Sequence, residues 1–268
     1  MVENVIVSSA KAFVDPKITI VGAGPGDPEL ISVKGIKALR SANVVLYDAL
    51  IDERLLNYAP QSAIKVFVGN PSGDENFSQD VVNQLMVDYA LNFGHVVRLK
   101  GGDLFVFGRG YEELDYAASY SIETHVVPGI SSAISVPGLL GIPVTHRGIS
   151  DGLLVLSGTD NEGNVSPEII EASNYKATVV VLLGFKQLPE IVKAYQNAGK
   201  GRLPVAVIQN GSMATQKFAI GIVNTIEELT EEKEIDNSGP VLLIFGTVVS
   251  LHDGFQYIRR FFEIEDYK

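Results

Sequence analysis

An acid set among four glycines is the first place in this chain where chemistry could be done. The stretch LKGGDLFVFGRG, residues 99–110, carries Gly101, Gly102 and Asp103 and closes on Gly108, Arg109 and Gly110. Glycines let a ligand come close to the backbone, and Asp103 offers one fixed acceptor. The same residues also suit an ordinary strand-to-helix turn in which glycine serves geometry alone. A second acid, Asp48, ends the apolar run Val44-Val45-Leu46-Tyr47. There it is either a base facing a ligand crevice or the cap of the next turn. Ser131 and Ser132 follow Pro128-Gly129-Ile130 and open a helix, where free N–H groups and hydroxyls can hold a carboxylate or ribose oxygens, or one serine simply caps the helix. His146 and Arg147 lie in a connector bounded by Gly141 and Gly148, as a solvated loop or as cationic contacts for an anionic ligand. An earlier glycine block, GAGPGDPEL at residues 22–30, has Pro25 and Pro28 inside it and no third glycine opening the helix, which argues against a pyrophosphate cradle.

These residues need elements to place them. Strand character recurs at 17–21, 43–47, 64–69, 95–99 and 123–127, with helical patterns at 33–41, 79–92 and 112–120 and another opening at 131–132. Asp48 and the Asp103 turn therefore both fall at the carboxyl ends of strands, where open α/β sheets bind ligands. The rhythm restarts beyond 148–152, with strands at 153–157, 177–183, 204–209, 217–223 and 241–249 and helices at 167–173, 188–197 and 225–229. No long crossover helix separates the last two strands, so the second sheet is expected to be mixed and the first mostly parallel. The expected organisation is an extension at 1–16, an α/β domain at 17–147, a second at 148–250 and a tail at 251–268. The acidic run 227–234 reads as a solvated helix end.

Composition narrows the function classes. The 268 residues are 46% hydrophobic and 20% charged, enough for a sizeable core. With no cysteine, disulfides, thiolate metal sites and cysteine nucleophiles are excluded. A formal charge of −11 argues against nucleic acid as the main partner. The apolar runs are strand-sized and no secretory pattern opens the chain, so we expect a cytoplasmic protein with no membrane segment.

Several blocks together resemble the tetrapyrrole methylase family, from about residue 17 to 249, and within it are most similar to the uroporphyrinogen-III C-methyltransferases. LKGGDLFVFGRG resembles the family's GGDP-x-x-x-GRG signature, with Leu104 in place of its proline. GAGPGDPEL, YDALI, VPGISSA and GIPVTHR match further family blocks. The resemblance implies a two-domain tetrapyrrole methylase-like fold with a ligand trough between domains, S-adenosyl-L-methionine as methyl donor with no metal, and C-methylation of uroporphyrinogen III towards precorrin-2 for sirohaem or cobalamin. It implies a homodimer with a tetrapyrrole substrate. Carried over residue by residue, it makes Asp48 the general base. Pro25, Gly101, Gly102, Asp103, Val106, Ser131, Ser132, Leu183 (where the family often has methionine) and Gly211 become donor contacts. Arg109, His146 and Arg147, with Lys186, are the cations available to meet substrate carboxylates. One loop departs from the pattern: Asn70 stands where the family has a lysine proposed to assist proton transfer, and Glu75 where it has histidine. That mismatch keeps two alternatives open, a methyltransferase of this fold acting on another acceptor and a weakly active binding paralogue.

Overall fold

The computed structural model describes residues 14–69 and 78–255. Within them the chain forms two compact units that exchange segments. One gathers the described parts of 1–21, 33–100 and 109–128; the other gathers 22–32, 101–108 and the described part of 129–268.

The first unit is built on strands β1 (Lys17–Gly22), β2 (Val44–Tyr47), β3 (Ile64–Phe67), β4 (His95–Lys100) and β5 (Glu123–Val127), in the spatial order β3-β2-β4-β1-β5. β2 pairs in parallel with β3 and β4, and β1 in parallel with β5. Ile18, Ile20, Val44, Leu46, Val97 and Leu99 are wholly buried, as near-continuous apolar strands covered on both faces must be. The edge strand β3 alternates half-buried and exposed residues instead. Helices α1 (Val33–Arg40), α2 (Gln79–Phe93) and α3 (Gly110–Ser119) make the crossovers. α2 is capped by Ser78, whose Oγ accepts from the Val81 N–H, and it stops at Gly94, whose φ of 96° a side chain would resist. The chain leaves β1 towards β2 on one side and β4 towards β5 on the other, so the sheet order reverses between the neighbours β1 and β4.

The second unit carries α4 (Ser132–Leu139) and a sheet of β6 (Leu153–Ser157), β7 (Thr178–Leu182), β8 (Pro204–Gln209), β9 (Lys217–Ile222) and β10 (Val241–Phe245), ordered β6-β7-β10-β8-β9. β6 and β7 are parallel, and the remaining pairs are antiparallel. The sheet is mixed as expected, though by a different route: β9 and β10 are not neighbours, because β10 enters between β7 and β8. Alternation along β10 feeds two cores. Leu243 and Phe245 pack with residues of α5 (Pro167–Ala172), α6 (Leu188–Asn197) and α7 (Ile226–Glu232), while Leu242 and Ile244 pack with Ala133 and Val136 of α4. β10 ends at Phe245 rather than at residue 249. Thr247–Leu251 is a 3₁₀ turn whose Val248 and Val249 are buried, a case where apolar content alone cannot tell strand from helix.

One buried polar atom in this core has no partner among the described residues. The Tyr195 ring stacks on Phe245 with centroids 4.3 Å apart, and its hydroxyl is buried without a hydrogen bond beside a cavity of about 330 Å3 lined by Ser150, Ala172, Val179, Leu203 and Thr247. Burial pushes the phenol pKa well up. Removing an unpaired buried donor relieves its desolvation cost, about 1 kcal/mol. Tyr195→Phe is therefore expected to hold or raise the thermal midpoint; a drop in calorimetry would reveal a partner for the hydroxyl.

Candidate active site

The glycine turns after β1, β4 and β5 are pressed together within the second unit. Gly24 N–H donates to the Gly102 carbonyl at 3.2 Å, and Gly102 N–H donates back to Gly24 at 2.7 Å. A Cβ on Gly22 would stand 2.5 Å from the Gly129 nitrogen, and one on Gly129 only 2.1 Å from the Gly102 oxygen. Gly102 itself has φ +65° and faces open space, since nothing lies within 4 Å of its missing Cβ. Asp103 fastens the assembly: Oδ1 accepts from the Phe105 N–H at 2.9 Å and Oδ2 from the Gly129 N–H at 3.2 Å. Its carboxylate thus ties two turns together, while each oxygen retains a lone pair for a ligand. Leu104, in the family's proline position, is wholly buried.

The same unit brings the remaining donor candidates around these turns. Asp27 N–H donates to the Ser212 Oγ at 3.0 Å, and a Cβ on Gly26 would meet Met213, so the loop holding Pro25 abuts the turn after β8. Gly211 lies against Val136 of α4, where a Cβ would come within 2.3 Å. Ser131 is the N-cap of α4, its Oγ accepting from the Ala133 N–H at 3.3 Å, which leaves Ser132 as the hydroxyl of the first turn without a partner among the described residues. Leu183 is 65% exposed with φ 56°, an unusual combination for a large apolar residue, while its neighbour Leu182 packs with Ala133 and Val136. All nine donor candidates, Val106 included, belong to this one unit.

Asp48 belongs to the first unit, and there the structure shows what the sequence reading missed. Its carboxylate, 26% exposed, accepts from Arg98 Nη2 at 2.5 Å. Arg98 is 4% exposed and also donates through Nε to Glu113 Oε1 at 3.0 Å; Lys100 Nζ and Gln79 Nε2 donate to the same oxygen at 2.8 and 3.1 Å. Glu113 is wholly buried, and its Oε2 has no partner among the described residues. Arg98 and Lys100, two residues apart on β4, point to one face of the sheet, and Glu113 of α3 covers them. Burial opposes each charge. For Arg98 the carboxylates of Asp48 and Glu113 outweigh it and raise the pKa, and for Glu113 the two cations outweigh it and hold the carboxyl below its usual range. Lys100 is held below the ordinary lysine value by burial and by the Arg98 charge.

The substrate candidates are more scattered. Arg109, at φ 55°, closes its fork on Glu112 with contacts of 2.5–3.1 Å, an exposed pair that a stronger anion can displace. His146 and Arg147 sit on a short turn closed by the His146–Ser150 bridge, both exposed, with Arg147 in no ion pair among the described residues. Lys186 is exposed on the 3₁₀ turn after Leu183. Asn70 and Glu75 lie outside the described residues. The strand leading to them ends beside the base candidate, because a Cβ on Gly69 would stand 2.6 Å from the Ala49 nitrogen.

Residues 17–229 match the Tetrapyrrole (Corrin/Porphyrin) Methylases. The chain belongs to the tetrapyrrole methylase family. It is 40% identical over 240 residues to a uroporphyrinogen-III C-methyltransferase of Methanocaldococcus jannaschii, covering 88% of this chain and 98% of that one. A siroheme synthase of Psychrobacter cryohalolentis is 38% identical, with 88% of this chain covered but only 45% of the relative. Among solved structures, the uroporphyrin-III C-methyltransferase of Thermus thermophilus complexed with S-adenosylhomocysteine superposes with a TM-score of 0.73 at 34% identity, over 88% of this chain and 99% of that one. The mostly parallel and mixed sheets are those of a tetrapyrrole methylase. Its methyl donor finds fitting residues here: open space at the missing Cβ of Gly102, an unshared serine hydroxyl at the start of α4, and an exposed apolar side chain at Leu183.

Proposed function

We propose that the chain methylates a carbon of uroporphyrinogen III, towards precorrin-2, with S-adenosyl-L-methionine as donor. The observation that carries this reading is the 40% identity to a uroporphyrinogen-III C-methyltransferase across 98% of that protein's length. Bound S-adenosyl-L-methionine supplies a methyl group already activated by its sulfonium. The backbones of Gly101, Gly102 and Gly211 let it approach closely, Ser131 and Ser132 offer oxygen-binding groups at the start of α4, and Asp103, Pro25, Val106 and Leu183 complete the contacts. Asp48 accepts the pyrrole N–H proton that is released as the acceptor carbon is methylated. Arg109, His146, Arg147 and Lys186 meet the substrate carboxylates, Arg109 by exchanging Glu112 for one of them.

The acidic balance supports a small-molecule acceptor over nucleic acid, and no described helix is long and apolar enough to cross a membrane. On this reading the protein works in the cytoplasm as a homodimer, and light scattering at micromolar concentration should return twice the monomer mass. The deciding experiment follows a labelled methyl group from S-adenosyl-L-methionine. Label is expected in the tetrapyrrole when uroporphyrinogen III is offered, and not in ribosomal RNA. Tight donor binding with no transfer to uroporphyrinogen III would overturn the assignment.

A further inference from the structure

Buried ion pairs are weak devices for stability, because the cost of stripping water from the charges offsets most of their attraction. The first unit nonetheless buries three ionisable groups, Arg98, Lys100 and Glu113, and among the described residues nothing pairs with Glu113 Oε2. The network runs outward to one partly exposed carboxylate, that of Asp48, while its other partly exposed member, Gln79, carries no charge, so the Asp48 end is where it acts. Arg98 is the link. Its Nη1 donates to the Leu99 carbonyl at 3.2 Å, its Nε is fixed on Glu113, and its Nη2 reaches Asp48. The sheet register supports this. Leu46 lies opposite Arg98 in the parallel β2–β4 pair, and Asp48, two residues on, emerges on the same face.

We infer that Arg98 is a positioning residue for Asp48, with Glu113 as its anchor and with Lys100 and Gln79 holding the anchor in place. This rests on the assignment of Asp48 as the base. A guanidinium is needed because a planar fork can donate to two carboxylates in fixed directions, whereas an ammonium is a point charge that cannot hold both at these angles. One Asp48 oxygen is thereby immobilised and the other is left for the acceptor. Displacement of a base by about 1 Å can cost a hundredfold in rate.

Arg98→Lys keeps a cation between the two carboxylates, so folding is retained while the fork is lost. It is expected to lower kcat about ten- to a hundredfold with the KM for uroporphyrinogen III and the affinity for S-adenosylhomocysteine both unchanged. In the Asp48→Asn background the same substitution should change kcat by less than about twofold, because a residue acting only through Asp48 has nothing left to position. A multiplicative loss in the double variant, or a KM rise that accounts for the loss in the single one, would overturn the inference. Should Arg98→Lys not fold, Glu113→Gln is compared in the same two backgrounds with the same expected and overturning results. Full turnover of Asp48→Asn alone removes the base assignment, and a rate loss from Arg98→Lys in that case overturns the positioning role too.

Discussion

Asp48→Asn is expected to bind S-adenosylhomocysteine as tightly as the unaltered chain and to methylate uroporphyrinogen III about two to four powers of ten more slowly. Asparagine keeps the size of the side chain and can still accept from Arg98, but it takes up no proton. The separation of binding from turnover follows from where the residues lie. Every donor candidate is in the unit built on 22–32, 101–108 and 129 onward, and Asp48 is in the other. Asparagine also removes one of the two carboxylates that offset the burial of Arg98, so the thermal midpoint should fall, and both measurements are made well below the midpoint of the variant. Calorimetry with S-adenosylhomocysteine and single-turnover methylation, run on the same preparation, check both halves. A variant that turns over normally would remove Asp48 from the chemistry, and one that loses donor affinity would make its role structural.

Gly129→Ala is the second large effect. The added methyl would lie 2.1 Å from the Gly102 carbonyl oxygen and 2.7 Å from Gly22 backbone atoms, none of which can rotate away as a side chain would. The strain would also pull the Gly129 N–H from Asp103 Oδ2. We expect a loss of about 3 kcal/mol or more in stability, read by denaturant midpoint, together with loss of donor binding. Gly138 of α4 is the control: nothing lies within 4 Å of its missing Cβ, and Gly138→Ala should stabilise by about 0.5–1 kcal/mol. Equal behaviour of the two variants would mean that the three turns are less tightly apposed than described.

What could be read from the sequence follows a physical line. Strands β1, β2, β4, β7 and β8 announce themselves because burial on both faces demands apolar runs, and the glycine turns because close backbone approach tolerates no Cβ. Asp103 was legible as an acceptor, but not that its oxygens bond to backbone N–H groups, one of them 26 residues away. The Arg98–Lys100–Glu113 cluster was missed because His95 to Lys100 reads as an ordinary buried strand. The available signal was two cations on one face of a strand that must be buried, which require a buried acid. Adjacent Glu112 and Glu113 both qualified, and only the helix phase settles it: Glu113 turns inward and Glu112 outward to Arg109. The end of β10 and the entry of β10 between β7 and β8 depend on pairing across the chain, which no local pattern encodes.

That late central strand sets a schedule for the nascent chain. All strands of the first sheet have been made by residue 127, whereas β7 emerges about 60 residues before the partner that joins it to β8. At ribosomal speeds of roughly 5–20 residues per second, β7 and β8 wait for several seconds with unpaired edges. β8 and β9 are joined by a short turn and can pair at once, but nothing local prevents β7 from zipping directly onto β8 and closing the gap meant for β10. The vulnerable step in making this protein is therefore the admission of one five-residue strand into a sheet that has had time to misalign, and variants that speed β7–β8 association should lower the yield of folded chains without altering the stability of those that succeed.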